Sequence, residues 1–335
     1  MINIYFPFLF VFLNFACSQS QKAEQEAEEK IKEYNNKNKS LTDTTITAEV
    51  IYRSTDKGNS WMPFANGIPK EATVSSFLPV GHKIYATTDY HGIFVISDGD
   101  SSWLHIGKGL PDKVDINAIT VINNVFVIGT FKNGIFISTD GCLNWKQVQD
   151  PINNTPIRCL LTSGNKVFAG TDDGIYESMD NGNTWKQVYK GVQVNGFTEL
   201  NHKIYAGVMN GAIMTNDEGL NWRYIYQPQT LHDISNDGES VYVMTLGDGL
   251  LKSKNDGLTW ENVNNGLGTM NLYTFEVKNI YKGLFAAQWH GIYHSNNGGK
   301  SWQLIKSGLP DSTAFTTLET TGFGLIAGIG LRKKT

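Results

Sequence analysis

The stretch ESMDNGNTW, Glu177 to Trp185, poses the question of why a turn ends in an indole. Asp180, Asn181 and Gly182 predict a tight turn, because Asp and Asn side chains hydrogen-bond their own backbone and Gly adopts positive φ without steric cost. A turn alone does not need Trp185. The pattern therefore indicates that the tryptophan has a role outside the turn.

The same pattern recurs along the chain. Seven of the eight tryptophans follow one another at intervals of 37 to 42 residues, which is the signature of a repeat architecture. Before them stand RSTDKGNSW, VISDGDSSW, ISTDGCLNW, ESMDNGNTW, MTNDEGLNW, KSKNDGLTW and HSNNGGKSW. The pattern Ser/Thr-x-Asp-x-Gly-x-x-Trp is complete in the copies that begin at Ser54, Ser178 and Thr215. Asn replaces Asp at Asn255 and Asn297.

These copies resemble the Asp-box (BNR) repeat. That repeat occurs in sialidases, in sortilin-type receptors, in oligoxyloglucan-cleaving glycosidases and in a photosystem II assembly factor. The resemblance covers about residues 46 to 333. Since those relatives perform unrelated tasks, it implies a fold and leaves the function open.

Each repeat predicts four short antiparallel strands, A to D, exemplified by RCLLTSG, KVFAGT, GIYES and WKQVY. We therefore predict an all-β, seven-bladed β-propeller. The chain begins with strands C and D only and ends with A and B only, so the two ends should pair in one blade and remove an open sheet edge. The seven tryptophans are predicted to pack between sheets; sugar binding by them is the alternative.

The first sixteen residues predict a signal peptide, because an apolar run ends at Ala16 and Cys17. This junction resembles the lipobox of bacterial lipoproteins, which implies lipidation of Cys17; an ordinary secretory signal is the alternative. We predict four segments. They are a signal peptide at 1–16, a charged, partly helical tether at 17–45, the propeller at 46–329 and a tail at 330–335. The predicted location is the bacterial envelope, facing the periplasm or the cell surface.

The composition excludes some functions. The net charge is −4, the pI is about 6.0 and there are four arginines, so no nucleic acid partner is predicted. The pattern contains no metal or cofactor motif, and neither is predicted. Cys142 and Cys159 are predicted to be unpaired thiols, with a disulfide between them left open.

The loops between strands B and C lie on the face opposite the Trp-containing turns and diverge in sequence. Tyr90 and His91 in blade 1 match Trp289 and His290 in blade 6, on either side of the short loop of blade 7. We predict that these four residues bind a ligand at the central opening, because aromatic faces stack on sugar rings or apolar side chains. The alternative is that they form only the lip of the opening. Further candidate ligand-binding residues are Asp89, Asp172, Asp173 and Asp248.

The arginines do not support a sialidase, whose site implies three arginines converging on a carboxylate. The predicted function is a monomeric, exported, lipid-anchored module that binds a glycan or an envelope protein. The membrane is a partner only through the anchor. The alternative is a carbohydrate-active enzyme, a glycoside hydrolase or a polysaccharide lyase, that uses the same face with paired carboxylates or with His and Tyr. The sequence favours binding over catalysis.

Overall fold

The computed structural model describes residues 49–268, 274–311 and 313–331. These residues form seven four-stranded antiparallel sheets in a ring, which confirms the predicted seven-bladed β-propeller. The regular helical structure among the described residues is a single 3-10 turn, Pro151–Asn154. No helix in these ranges is long and apolar enough to cross a bilayer.

Blades are numbered by their innermost strand. Blade 1 comprises β3 (Val74–Val80), β4 (Lys83–Thr88), β5 (Gly92–Ser97) and β6 (Leu104–Ile106). Blade 2 comprises β7 (Ile116–Ile122), β8 (Val125–Thr130), β9 (Ile135–Ser138) and β10 (Lys146–Gln147). Blade 3 comprises β11 (Ile157–Ser163), β12 (Lys166–Thr171), β13 (Gly174–Ser178) and β14 (Lys186–Lys190). Blade 4 comprises β15 (Val194–Leu200), β16 (Lys203–Val208), β17 (Gly211–Thr215) and β18 (Arg223–Tyr226). Blade 5 comprises β19 (Leu231–Asn236), β20 (Val241–Thr245), β21 (Gly249–Ser253) and β22 (Glu261–Asn262). Blade 6 comprises β23 (Thr274–Ile280), β24 (Gly283–Gln288), β25 (Gly291–Ser295) and β26 (Gln303–Ile305). Blade 7 comprises β27 (Ala314–Thr321), β28 (Gly324–Leu331), β1 (Ile51–Ser54) and β2 (Met62–Pro63).

Blade 7 joins the two ends of the described chain. Strand β1 pairs with β28, with Ile51 opposite Gly328 and Ser54 opposite Leu325. This confirms the predicted closure, in which strands C and D of one end complete strands A and B of the other. Strand β28 continues to Leu331, so the predicted boundary between propeller and tail at 329/330 falls inside a strand.

The first strands of neighbouring blades contact one another around the centre, and apolar side chains fill the space between adjacent sheets. Between blades 3 and 4, for example, Phe168, Val194, Ile204 and Ile213 are buried in one cluster. The alternation of inward and outward residues along each strand produces these interfaces, because the side chains of a strand point to both faces of its sheet.

The turn from the third to the fourth strand of each blade, here called the CD turn, explains the opening stretch. In blade 3, Asp180 Oδ1 accepts from the Ser178 hydroxyl and from Thr184 N at 2.9 Å each, and Ser178 Oγ accepts from Gly182 N at 2.9 Å. Trp185 Nε1 donates to the Gly182 carbonyl at 3.0 Å. The indole therefore closes the turn with its nitrogen and packs between sheets with its rings.

The acidic side chain of the CD turn is held ionised by its hydrogen bonds. Donation from Ser60 and Ser54 lowers the pKa of Asp56 to about 2. Equivalent donors lower the pKa of Asp140 and of Asp217 to about 2. Asn255 and Asn297 make the same backbone contacts with an uncharged amide. The turns of blades 2 to 7 therefore share one geometry with two kinds of side chain, whereas in blade 1 Asp100 Oδ2 accepts from Ser97 N instead.

Cys142 and Cys159 are free thiols. Burial raises the pKa of both, so they are protonated and structural at neutral pH. The predicted signal peptide, Cys17 and tether lie outside the described residues, as do residues 332–335.

Candidate functional site

The predicted ligand loops, between the second and third strands, cluster at one end of the propeller together with the starts of the seven innermost strands. The CD turns lie at the opposite end, because each blade is a four-stranded antiparallel meander whose alternate turns face opposite ways. We call the end with the predicted loops the mouth face. The described chain enters at this face, at Glu49, immediately before β1.

Every innermost strand contains a one-residue bulge near its start, at the mouth face. The register skips one residue between Val74 and Ser76 in β3, and it does so at the matching place in the other six blades. A bulge leaves its extra residue outside the ladder and re-aims its side chain. Seven such side chains therefore surround the central opening: Ser75, Asn117, Arg158, Asn195, His232, Phe275 and Thr316.

Three bulge residues contact the residue fourteen positions later in their own blade: Ser75 donates to Asp89, Arg158 donates to Asp172, and Phe275 stacks on Trp289. The other four bulge residues have a counterpart at the same spacing in the sequence. We call the seven pairs the mouth ring. They are Ser75/Asp89, Asn117/Phe131, Arg158/Asp172, Asn195/Met209, His232/Leu246, Phe275/Trp289 and Thr316/Gly330. The backbone position repeats seven times, whereas the side-chain chemistry differs from blade to blade.

Three bulge residues connect neighbouring blades. Asn117 Nδ2 donates to the Ile157 carbonyl at 2.8 Å, and Asn195 Nδ2 donates to the Leu231 carbonyl at 2.7 Å. Thr316 Oγ1 makes the equivalent contact to the first strand of blade 1 at 3.4 Å. Each acceptor is the residue just before the bulge of the next blade. These three positions are architectural.

Blades 5 and 6 carry an aromatic cluster in the ring. Trp289 stacks on Phe275 with ring centroids 6.2 Å apart and planes at 28°, and His232 meets Phe275 edge-on at 5.1 Å. Phe275 is buried, whereas Trp289 remains partly exposed. Burial lowers the pKa of His232 to about 4, so its imidazole is neutral at physiological pH. The cluster offers apolar aromatic surface without charge.

Blade 3 carries an ion pair at the same level. Arg158 Nε donates to Asp172 Oδ1, and both side chains are about one-third exposed, at 30% and 38%. The pair lies at the first residue after β12, where solvent reaches both side chains. Asp172 is therefore already engaged by a cation, which changes its role from the one predicted.

Asp89 is held by its own blade. Its two carboxylate oxygens accept from the hydroxyls of Thr73 and Ser75 at 2.8 Å each. It also lies beside Asp115 at an isolated β-bridge, and burial together with Asp89 raises the pKa of Asp115. The blade 1 and blade 2 side of the mouth thus holds two carboxyl groups in contact.

The other predicted carboxylates also have protein partners. Asp173 Oδ2 accepts from Gln187 Nε2 at 3.2 Å. Asp248 Oδ2 accepts from Gln229 Nε2 at 2.7 Å and from the Tyr226 hydroxyl at 3.1 Å. Both aspartates are exposed at loop tips, and their first role is to fix those loops.

Tyr90 and His91 line a groove on the outer side of the ring, away from the Phe275 cluster. This groove has a volume of about 610 Å³ and lies between the loop of blade 1, strand β6 and the connector 107–114. Tyr90 is 55% exposed, and its backbone N–H donates to the Val114 carbonyl at 3.1 Å. His290 follows Trp289 in the loop of blade 6 and is partly exposed. The four predicted aromatic and histidine residues therefore belong to two separate places.

A second cavity, of about 660 Å³, occupies the end of the central opening nearer the CD turns. Lys278 Nζ lies 3.3 Å from Glu276 Oε1 and also contacts Glu319, while Glu276 Oε2 accepts from Leu318 N at 2.6 Å. Burial raises the pKa of Glu276 and of nearby Asp233. Although burial opposes its charge, the two glutamates raise the pKa of Lys278. These charges are largely satisfied by one another.

Sequence reasoning missed the bulge residues, above all Arg158, His232 and Phe275. Their spacing of fourteen residues from Asp172, Leu246 and Trp289 becomes meaningful only once the bulges are known, because a bulge does not change the composition of a strand. In the described ranges no group of three or more His, Cys, Asp or Glu side chains could hold a metal ion.

No protein-family model and no characterised protein sequence matches this chain. Solved structures do resemble it. YCF48 bound to a D1 peptide is 16% identical with a TM-score of 0.62, over 77% of this chain and 91% of YCF48. The extracellular domain of a putative one-component system from B. thetaiotaomicron is 16% identical with a TM-score of 0.66, over 79% of this chain. An ancestral GH74 enzyme is 17% identical with a TM-score of 0.57, over 78% of this chain.

This chain spans 38% of the length of the sensor domain and 40% of the length of the GH74 enzyme. At these identities the likeness establishes the propeller fold. The fold is shared by a protein bound to a D1 peptide, the extracellular domain of a one-component system and a GH74 enzyme, so function has to be argued from the mouth face.

Proposed function

We propose that this protein is a binding module of the bacterial envelope, exported and anchored through lipid on Cys17, that holds its ligand at the mouth ring. The observation that carries the proposal is the stack of Trp289 on Phe275 beside neutral His232, at positions whose backbone repeats in all seven blades. A partly exposed indole on a rigid aromatic base is a typical anchor for a ligand. In this proposal the CD turns are Asp-box repeats that build the scaffold.

The ligand we favour is a segment of an envelope protein. YCF48, which shares the fold, binds a D1 peptide, and a second structural neighbour is the extracellular domain of a one-component system. Arg158 adds a cationic fork in blade 3, and Trp289 adds apolar surface in blade 6. A ring that combines a cation with apolar aromatic surface matches an extended peptide with mixed side chains better than it matches a ligand of uniform chemistry.

A carbohydrate-active enzyme is the second candidate because Asp89 and Asp115 form a carboxyl pair, as glycosidases require. Burial and the neighbouring Asp89 raise the pKa of Asp115, which favours its protonated form. Glycosidases, however, place their two carboxyl groups about 5–10 Å apart so that the sugar lies between them. A pair in direct contact, with Asp89 also bound by Thr73 and Ser75, lacks that space. Binding is therefore the better-supported function.

Co-purification from crosslinked cells tests the proposal. The full-length chain should retain specific envelope proteins that Trp289→Ala loses, whereas Tyr224→Ala, which changes an exposed aromatic residue on β18, should retain them. Equal capture by all three proteins would reject the mouth ring as the binding site. Hydrolysis or cleavage of a polysaccharide, abolished by Asp89→Asn, would establish the enzyme instead.

The anchor is tested separately. Labelling with a fatty-acid analogue should modify the wild-type chain and not Cys17→Ser, which should be released in soluble form. A mature N-terminus that is unmodified and lies after Ala16 would reject lipidation and leave the binding proposal intact.

A further inference from the structure

The groove between blades 1 and 2 departs from the repeat in its backbone. The left-handed non-glycine residues of the described chain fall in two recurring turns, with two exceptions. In the turn between first and second strands they are Asn123, Asn124, Asn201, His202, Tyr281 and Lys282, and in the CD turns they are Lys57, Cys142, Asn181, Glu218 and Asp256. The exceptions are Tyr90, with φ of 62°, and Lys113, with φ of 56°. Both line this groove.

Left-handed geometry is unfavourable for a bulky aromatic residue and persists only where its surroundings impose it. Here the hydrogen bond from Tyr90 N to the Val114 carbonyl ties the loop of blade 1 to the connector that contains Lys113. The phenol ring is nevertheless 55% exposed, so this backbone is not maintained in order to bury the ring. Strained residues of this kind cluster at binding sites.

The lining of the groove combines cationic, imidazole and aromatic groups. Lys108 and Lys113 are exposed lining residues, and Asp112 is the acidic residue of the lining. The neighbouring carboxylates have partners of their own, since Glu71 lies 3.8 Å from His91 Nε2 and Asp89 accepts from Thr73 and Ser75. The volume of about 610 Å³ falls within the range of roughly 300–1,000 Å³ that is usual for ligand pockets. The groove therefore suits an anionic ligand of modest size.

Two imidazoles are held in place around it. His91 Nδ1 donates to the Asp89 carbonyl at 2.8 Å, and its Nε2 lies 3.8 Å from Glu71 Oε1. His105 packs against Phe94 with centroids 5.1 Å apart. It also lies over Gly92, where an added Cβ would stand 3.0 Å from Nε2. Both rings can thus meet hydroxyl groups from fixed positions.

We infer that this groove is a second binding site, separate from the mouth ring, for a carboxylated sugar chain. The ring of one sugar stacks on Tyr90, its carboxylate pairs with Lys108 and Lys113, and its hydroxyls meet His91, His105 and Asp112. The inference uses no residue of the Phe275 and Trp289 cluster, so it does not rest on the proposed function.

Isothermal titration of the purified full-length protein with trigalacturonate tests the site, with neutral galactotriose as the comparison sugar. Trigalacturonate should bind, galactotriose should bind at least about tenfold more weakly, and added salt should weaken the former alone. The double variant Lys108→Gln/Lys113→Gln should lose the preference. Lys186→Gln, an exposed lysine on β14, is the matched control and should keep it.

Tyr90→Gly separates ligand binding from folding. Glycine accepts a φ of 62° without strain, so the melting temperature should hold or rise, while the affinity for trigalacturonate should fall about tenfold with the lost stacking surface. Trp289→Ala should leave this affinity unchanged.

Several results would overturn the inference. These are equal affinity for the two trisaccharides, no binding of either, or unchanged affinity in the lysine double variant. Loss of trigalacturonate binding in Trp289→Ala would move the sugar to the mouth ring. Selective binding of a tyrosine-containing acidic peptide in place of trigalacturonate would replace the ligand class.

Discussion

The two ends of this propeller use repetition in opposite ways. At the CD turns of blades 2 to 7 both backbone and side chains recur; for example, Ser54, Ser178 and Ser253 each accept from a glycine N–H four residues later, at 2.8 to 2.9 Å. At the mouth ring the bulge recurs in every blade, yet the paired side chains range from Ser75/Asp89 to Phe275/Trp289.

The difference separates residues that maintain the fold from residues that are free to vary. A side chain that must satisfy the same backbone groups in each blade has a structural task. At the mouth ring the side chain is under this constraint only where it bonds to the next blade, as Asn117, Asn195 and Thr316 do. The remaining ring positions combine a constant backbone with variable chemistry, and such positions can accommodate ligand contacts. Substitutions at the CD turns should therefore mainly lower stability, and substitutions at the mouth ring should mainly weaken binding.

The largest expected effect comes from a repeated tryptophan. Trp103 is 2% exposed and donates to the Phe64 carbonyl at 2.7 Å, so Trp103→Ala should lower the free energy of unfolding by about 3–5 kcal/mol. Trp289→Ala, at the mouth ring, should cost about 1 kcal/mol, mainly its stacking on Phe275. Urea unfolding of both variants measures this, and equal losses would break the comparison.

The next effect concerns the glycines that pack on the repeated tryptophans. Gly308 has a φ of 79°, and a Cβ there would stand 1.8 Å from the Trp61 carbonyl oxygen. Gly308→Ala should cost roughly 1–3 kcal/mol through backbone displacement and strain. Gly191→Ala is the matched control, since its φ is 80° and no atom lies within 4 Å. If both variants unfold at the same urea concentration, the close approach is not what requires glycine at 308.

A smaller effect should appear in acid. The folded pKa of Asp56, Asp140 and Asp217 is about 2, below the ordinary value of 3.8, so their stabilisation is complete above about pH 4 and is lost as the pH falls through 2. The triple Asp→Asn variant should show a flatter fall in urea midpoint between pH 4 and pH 2 than the wild type. Asn255 and Asn297 already illustrate that an amide fits the turn. Parallel curves for the two proteins would contradict this assignment.

The smallest effect should come from the ion pair of the mouth ring. Arg158 and Asp172 are 30% and 38% exposed, so solvent screens them, and Arg158→Ala should change the free energy of unfolding by no more than about 1 kcal/mol. The same variant should weaken capture of the ligand proposed for the ring. A large loss of stability without a loss of binding would assign the pair to the fold.

The repeat made the fold predictable. The spacing of Trp61, Trp185 and their counterparts predicted seven blades, and the incomplete repeats at the two ends predicted that β1 pairs with β28, as the structure confirms. These features could be predicted from the sequence because they depend on local turn chemistry that recurs in each repeat.

The mouth ring was not accessible in this way. A bulge adds one residue without changing the composition of a strand, so nothing in the sequence of β11 separates Arg158 from an ordinary strand residue. The position of Tyr90 likewise depends on a hydrogen bond to Val114, a contact between segments far apart in sequence. The positions of the loops could be predicted from the sequence. The residues that contact each loop could be identified only from the structure, because these contacts depend on how the blades pack.

The closure of blade 7 has a consequence for how the ring assembles. Blades 1 to 6 are each made from consecutive strands, but Ile51 has no ladder partner until Gly328 has been synthesised. Contacts between such distant residues are slow to form, because a long loop must be ordered before they contribute. A chain that stops before β28 would carry the β1/β2 pair with one unpaired edge at its start and an unpaired β27 at its end, which favours association with other chains. Completion of the ring therefore requires synthesis of the chain through β28.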